Sequence, residues 1–101
     1  MPSKHKHKNK LVVFRRRAGL TQREVARLLG HRRTTLISSY ETGRALPPLP
    51  TALRIGIILR VPLEFLYGTM YDEMRLRIRA DEERMTALKV GTKKGHRAPA
   101  E

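Results

Sequence analysis

Apolar positions along the chain come in short bursts separated by glycine, proline or basic residues, and most bursts repeat at the three-to-four spacing of a helical face. Leu11 and Phe14, with Ala18 and Leu20 just beyond, predict a first helix over Leu11 to Ala18 with these residues inward. Val25, Ala26, Leu28 and Leu29 predict a second over Thr21 to Leu29. The Thr21 hydroxyl can cap its first turn, Glu24 completes a capping box, and Gly30 can take the positive φ that stops it. A third helix is expected from Arg33 or Thr34 to Glu41, with Ile37 and Tyr40 inward and Gly43 at its end. Pro47, Pro48 and Pro50 enforce an extended connection. Thr51 is placed to cap a central core helix over Thr51 to Leu59, because Leu53, Ile55, Ile57, Ile58 and Leu59 are too uniformly apolar for a surface helix. Pro62 starts a fifth short helix with Leu63, Phe65, Leu66 and Tyr67, ended by Gly68, and its two aromatics are expected in the core.

Beyond residue 69 the period changes. Tyr71, Met74, Ile78, Met85 and Leu88 follow a seven-residue repeat interrupted by Asp81, which predicts an amphipathic helix over 70–88 with one narrow apolar stripe. Packing back onto the preceding helices and pairing with the same helix of a second subunit both fit that stripe.

At 101 residues the chain holds one core and is too short for two. Its formal net charge of +13 points to a polyanionic partner, nucleic acid first. Cysteine is absent, which excludes disulfides, thiolate nucleophiles and thiolate metal sites. No apolar run approaches the roughly 20 residues of a membrane span, and Leu11 to Phe14 is too short for a signal-peptide core, so a cytoplasmic location is expected. No His, Ser and acid set has catalytic spacing, so no enzyme, cofactor or small-molecule substrate is expected. His5 and His7 lack the further ligands of a structural zinc site, and no metal is expected.

The third helix has the unusual polarity. Thr34, Thr35, Ser38 and Ser39 are small, polar and mostly outward, and Arg32, Arg33 and Arg44 bracket them. That is an odd solvent face but a sensible groove face, because hydroxyls donate or accept at base edges while guanidinium groups reach phosphates. Gln22, first inside the second helix, has an amide long enough for a phosphate, although by itself it is a surface glutamine. Arg23 and Arg27 read as solvated. Arg15, Arg16 and Arg17 suit the C-terminal end of the first helix dipole. Residues 1–9 read as a basic, disordered arm, either solvated or lying along phosphates, and residues 89–101 as a flexible basic tail.

Thr21-Gln22, Val25-Ala26, Leu29-Gly30, Ile37-Ser38, Tyr40-Glu41 and Gly43-Arg44, followed by Pro47, Pro48 and the apolar run Leu53 to Leu59, form a set that resembles the phage repressor and Cro-like helix-turn-helix domain, also called the xenobiotic-response-element type. The resemblance covers roughly Lys10 to Tyr67. His31-Arg32-Arg33 departs from the commonest members and makes Gly30 to Glu41 one residue longer. The resemblance implies an all-α fold with a five-helix repressor-like domain over 10–69, to which the seven-residue pattern beyond it adds a C-terminal amphipathic helix over 70–88 that can serve dimerisation. It implies a sequence-specific regulator of transcription bound to double-stranded DNA, expected as a homodimer, with a recognition helix over about 33–41 in the major groove. Thr34, Thr35, Leu36 and Ser39 would then approach bases, and Gln22, Arg32, Arg33, Ser38 and Arg44 would hold phosphates. In this family an arginine of the first helix often pairs with the glutamate that ends the recognition helix, which makes Arg15 or Arg16 the structural partner of Glu41. The competing readings are an antitoxin or adaptor that binds a protein, and a sequence-tolerant nucleic-acid binder.

Overall fold

Helix ends set the architecture of this chain. The computed structural model describes residues 7–92, which form six helices and no strand: α1 (Leu11–Arg17), α2 (Gln22–Leu28), α3 (Thr35–Glu41), α4 (Leu49–Leu59), α5 (Leu63–Leu66) and α6 (Gly68–Thr92). The first three have seven residues each, too few to be stable alone in water, so their stops and their burial hold them. Each ends at a glycine with positive φ: Gly19 at 74°, Gly30 at 86° and Gly43 at 80°. At each stop the glycine N–H and the next N–H donate back to two carbonyls of the last turn, as Gly30 does to Arg27 (2.9 Å) and His31 to Ala26 (2.8 Å). The same pair of bonds closes α4, with Arg60 at φ 60° where the others have glycine.

The fold divides into two units between Tyr71 and Asp72. The first has its core where the inward faces of five helices meet: Leu11 of α1, Val25 and Ala26 of α2 with Leu29 just after it, Ile37 and Tyr40 of α3, Ile55 and Leu59 of α4, and Leu66 of α5 with Tyr67. Phe14, Leu20, Ile58, Val61, Leu63 and Met70 pack around this cluster. Leu66 is wholly closed off, so its truncation to alanine removes a full side chain's burial.

Several expectations from the sequence need correction. Leu28 is exposed, because a seven-residue helix turns only one narrow stripe inward and Val25, Ala26 and Leu29 already fill it. Ala18 caps the end of α1 in the open instead of packing. The fourth helix begins at Leu49, not Thr51, because Pro48 supplies the extended residue ahead of it and Pro50 sits in its first turn, where no N–H is needed. Its buried residues are Ala52, Ile55 and Leu59, while Leu53 and Ile57 face out. Phe65 is exposed and only Tyr67 of the two aromatics is buried. Gly68 does not end the helical run; it opens α6.

His7 to Asn9, read from the sequence as part of a disordered arm, are bonded to the first unit. The His7 N–H donates to Gly43 O (3.0 Å), and the Asn9 side chain donates to Tyr40 O (2.8 Å) while accepting the Leu11 N–H (2.9 Å). The arm before residue 7 and the tail after residue 92 lie outside the described residues. In the second unit, residues 72–81 of α6 are exposed throughout. Among the described residues no helix is long and apolar enough to cross a membrane.

Candidate nucleic-acid interface

The geometry around α3 begins with α2. Thr21 and Glu24 exchange bonds as a capping box, the Glu24 N–H donating to the Thr21 hydroxyl (3.1 Å) and the Thr21 N–H to the Glu24 carboxylate (2.9 Å). The glycine stop at Gly30 then turns the chain. The longer His31-Arg32-Arg33 segment is accommodated by dividing its residues: His31 is half-buried and its N–H closes α2, while Arg32 and Arg33 are exposed in the bend ahead of α3.

Helix α3 starts at Thr35, later than the residue 33 or 34 expected, with Thr34 as the flanking residue whose carbonyl accepts the Ser38 N–H (2.9 Å). One face carries Ile37 and Tyr40 into the core. At 100° per residue the opposite face centres on Thr35, Ser39 and Thr42, with Leu36 and Ser38 on its flanks. Thr35, Leu36 and Thr42 are exposed, and Ser38 and Ser39 are half-buried. Thr34 is half-buried and, like Leu36 on the other side, lies 100° of turn from Thr35. Thr42 is the residue that sequence reading missed: it lies just beyond the last helical residue, where composition marks only a helix end, but a count of helical turns from Thr35 places it in the row. Its hydroxyl donates to Ser39 O (3.2 Å).

Glu41 fixes how this row is presented. Its side chain is only 5% exposed and that of Arg15 12%. Arg15 meets both carboxylate oxygens, through Nε and through Nη2 (3.3 Å), and its Nη1 donates to Leu20 O (2.9 Å). Gln22 adds a bond from Nε2 to Glu41 Oε1 (2.8 Å). One carboxylate at the end of α3 is therefore held by α1 and α2 together. Arg16 is exposed and has no ion-pair partner among the described residues, so the expectation of Arg15 or Arg16 narrows to Arg15. The Gln22 amide spends a proton on Glu41, leaving its second N–H for any phosphate.

The electrostatics of the first unit are one-sided. Residues 7–71 carry twelve Lys and Arg against Glu24, Glu41 and Glu64, and the first two of these acids are taken up by the capping box and by Arg15. Arg32 and Arg33 precede α3 and Arg44 follows it, all exposed. Arg17 is partly occupied above the Phe14 ring, 5.5 Å from its centroid. Among the described residues no cluster of His, Cys, Asp or Glu could hold a metal ion.

No curated protein matches the chain significantly. The model of a helix-turn-helix domain family matches residues 10–64, more than half of the chain and all of α1 through α4. With two short helices joined at Gly30, the second exposing a polar row between arginines, the chain belongs to the helix-turn-helix domain family.

Proposed function

We propose that the chain is a sequence-specific regulator of transcription that reads double-stranded DNA with α3 in the major groove. The observation that carries this reading is the polar row Thr35, Ser39 and Thr42, exposed at its two threonines, flanked by Leu36 and bracketed by Arg32, Arg33 and Arg44, on a unit with twelve Lys and Arg against three Glu, one of them paired with Arg15. Thr35, Ser39 and Thr42 offer hydroxyls to base edges and Leu36 offers an apolar surface to a thymine methyl. Arg32, Arg33 and Arg44, with Ser38 and the second amide proton of Gln22, take the phosphates on either side and set the register of the helix. Thr34, at the entry of the helix, belongs to the same set of base-facing hydroxyls. Short hydroxyls discriminate less than a bidentate arginine, so one domain reads weakly and two copies acting on paired half-sites supply the rest. The protein acts in the compartment that holds its duplex, the cytoplasm, and carries out no catalysis.

Selection of bound sequences from a random duplex pool tests this. A discrete motif, repeated as a palindrome with half-sites about one helical turn apart, is the expected result. Recovery of unrelated sequences at equal affinity would instead make the chain a sequence-tolerant binder.

A further inference from the structure

The charges of the two units differ in kind. Against the strongly basic residues 7–71, residues 72–92 balance five acids (Asp72, Glu73, Asp81, Glu82, Glu83) with five bases (Arg75, Arg77, Arg79, Arg84, Lys89). A neutral helix is poorly suited to a polyanion and carries no net repulsion toward its own copy. Along it, Tyr71, Met74, Ile78, Met85 and Leu88 are all about half exposed or more, at intervals of three, four, seven and three residues that make one seam. The seam has one break, Asp81, whose carboxylate is exposed and bonded to Arg84 one turn on.

We propose that this seam docks onto the same seam of a second copy, with the two helices antiparallel. The inference deepens the two-copy part of the proposed function and rests on it only there. In a parallel pair each seam residue meets its own counterpart, so Asp81 would face Asp81, two carboxylates pressed together between apolar layers. Arg84 would also face Lys89 of the second copy, and only Arg77 against Glu82 would be favourable. Reversing one helix takes the two Asp81 side chains out of one layer and sets them three residues, about 4.5 Å, apart along the axis. Tyr71 then lies opposite Leu88, Met74 opposite Met85, and Ile78 opposite Asp81, so the seam is complementary to itself. Arg75 comes beside Glu82 of the other copy on both sides. The remaining cost, Arg77 near Arg84, matches the Arg84 to Lys89 contact of the parallel pair, so the exposed edge charges favour neither direction and Asp81 decides between them. Asp81 thus weakens pairing in both directions but penalises the parallel one more, the role a lone polar seam residue plays in other helix pairs.

The orientation has a geometric consequence. At 1.5 Å per residue, the two Tyr71 positions of an antiparallel pair stand about 26 Å apart along the helix axis, against none in a parallel pair. Two reading domains would leave the pair from opposite ends.

The chain has no cysteine, so single thiols report pairing without background. Met74→Cys and Met85→Cys are prepared separately in the full chain, then oxidised alone and as a mixture in the absence of DNA, with light scattering on the unsubstituted chain for mass. Residues 74 and 85 are both exposed, so neither change disturbs the core. The expected result is a mass of about twice 11.6 kDa, and a disulfide-linked species that is several-fold more abundant in the mixture than in either variant alone. Cross-linking of Met74→Cys alone to the extent seen in the mixture shows a parallel pair and overturns the proposal. A monomer at every concentration, or a dimer in which the mixture gains nothing, overturns it as well. Loss of duplex selectivity with the mixed cross-link intact would refute the DNA reading and leave this one standing.

Discussion

Replacing Glu41 with alanine probes the contact that fixes α3 against α1 and α2. The carboxylate is 5% exposed and accepts from Arg15 twice and from Gln22 once. Without it, Arg15, 12% exposed, keeps only Leu20 O, and the Gln22 amide loses its acceptor. Removing one member of a closed ion pair costs about 3–5 kcal/mol, because a charge is left out of water without its counterpart. The partial exposure of Arg15 places Glu41→Ala near the lower end, about 3 kcal/mol. For a unit of this size each kcal/mol moves the midpoint by roughly 4–8 °C, so Tm should fall by roughly 12–24 °C. Thermal and urea melts followed by helical circular dichroism measure both. Glu82→Ala is the control: its pair with Arg79 is open to solvent, and its loss should cost under about 1 kcal/mol. The double variant Arg15→Met, Glu41→Leu should recover most of the loss, because two apolar side chains leave no stranded charge. A loss below about 1 kcal/mol for Glu41→Ala, or a double variant as unstable as the single one, would refute the reasoning.

The other expectations concern binding, turns and alkaline stability. Arg44→Ala should weaken binding to all duplexes alike and make the slope of log affinity against log salt shallower by about 0.9, whereas Thr35→Ala should change the preferred bases and leave that slope intact; gel shifts across a salt series separate the two. Gly30→Ala meets open space, so its cost is backbone strain alone, about 1–2 kcal/mol by urea melt, while Arg60→Gly at the equivalent left-handed position of α4 should be neutral or stabilising. Burial, and secondarily the neighbouring Tyr40, pushes the Tyr67 hydroxyl up from 10.0 to about 12. The unfolded chain therefore releases this proton first, and stability should fall as pH rises from about 10 to 12. Tyr67→Phe should flatten that fall without loss at neutral pH, since the hydroxyl is buried with no partner among the described residues; an unchanged alkaline profile would count against it.

The turn chemistry was the most legible part of the sequence, because Thr21 with Glu24 and the glycines at 30 and 43 act locally, through bonds that span a few residues. Burial was less legible. Leu28, Leu53, Ile57 and Phe65 look like core residues by composition, but which stripe of a short helix turns inward depends on neighbours distant in sequence. The third helix was recognisable from its hydroxyls, while its start was not, because His31-Arg32-Arg33 carries no capping signal and the half-burial of His31 is a tertiary matter. Asn9 was hidden inside a run of lysine and histidine. An asparagine two residues ahead of an apolar helix start is a turn signal, and here its side chain joins the beginning of α1 to the end of α3.

That junction couples two helix ends that are far apart in sequence. With His7 tied to Gly43 O and Asn9 to Tyr40 O, residues 7 and 9 are fastened to the last turn of α3 and the glycine that stops it. Asn9→Ala should therefore loosen the start of α1 and the end of α3 together.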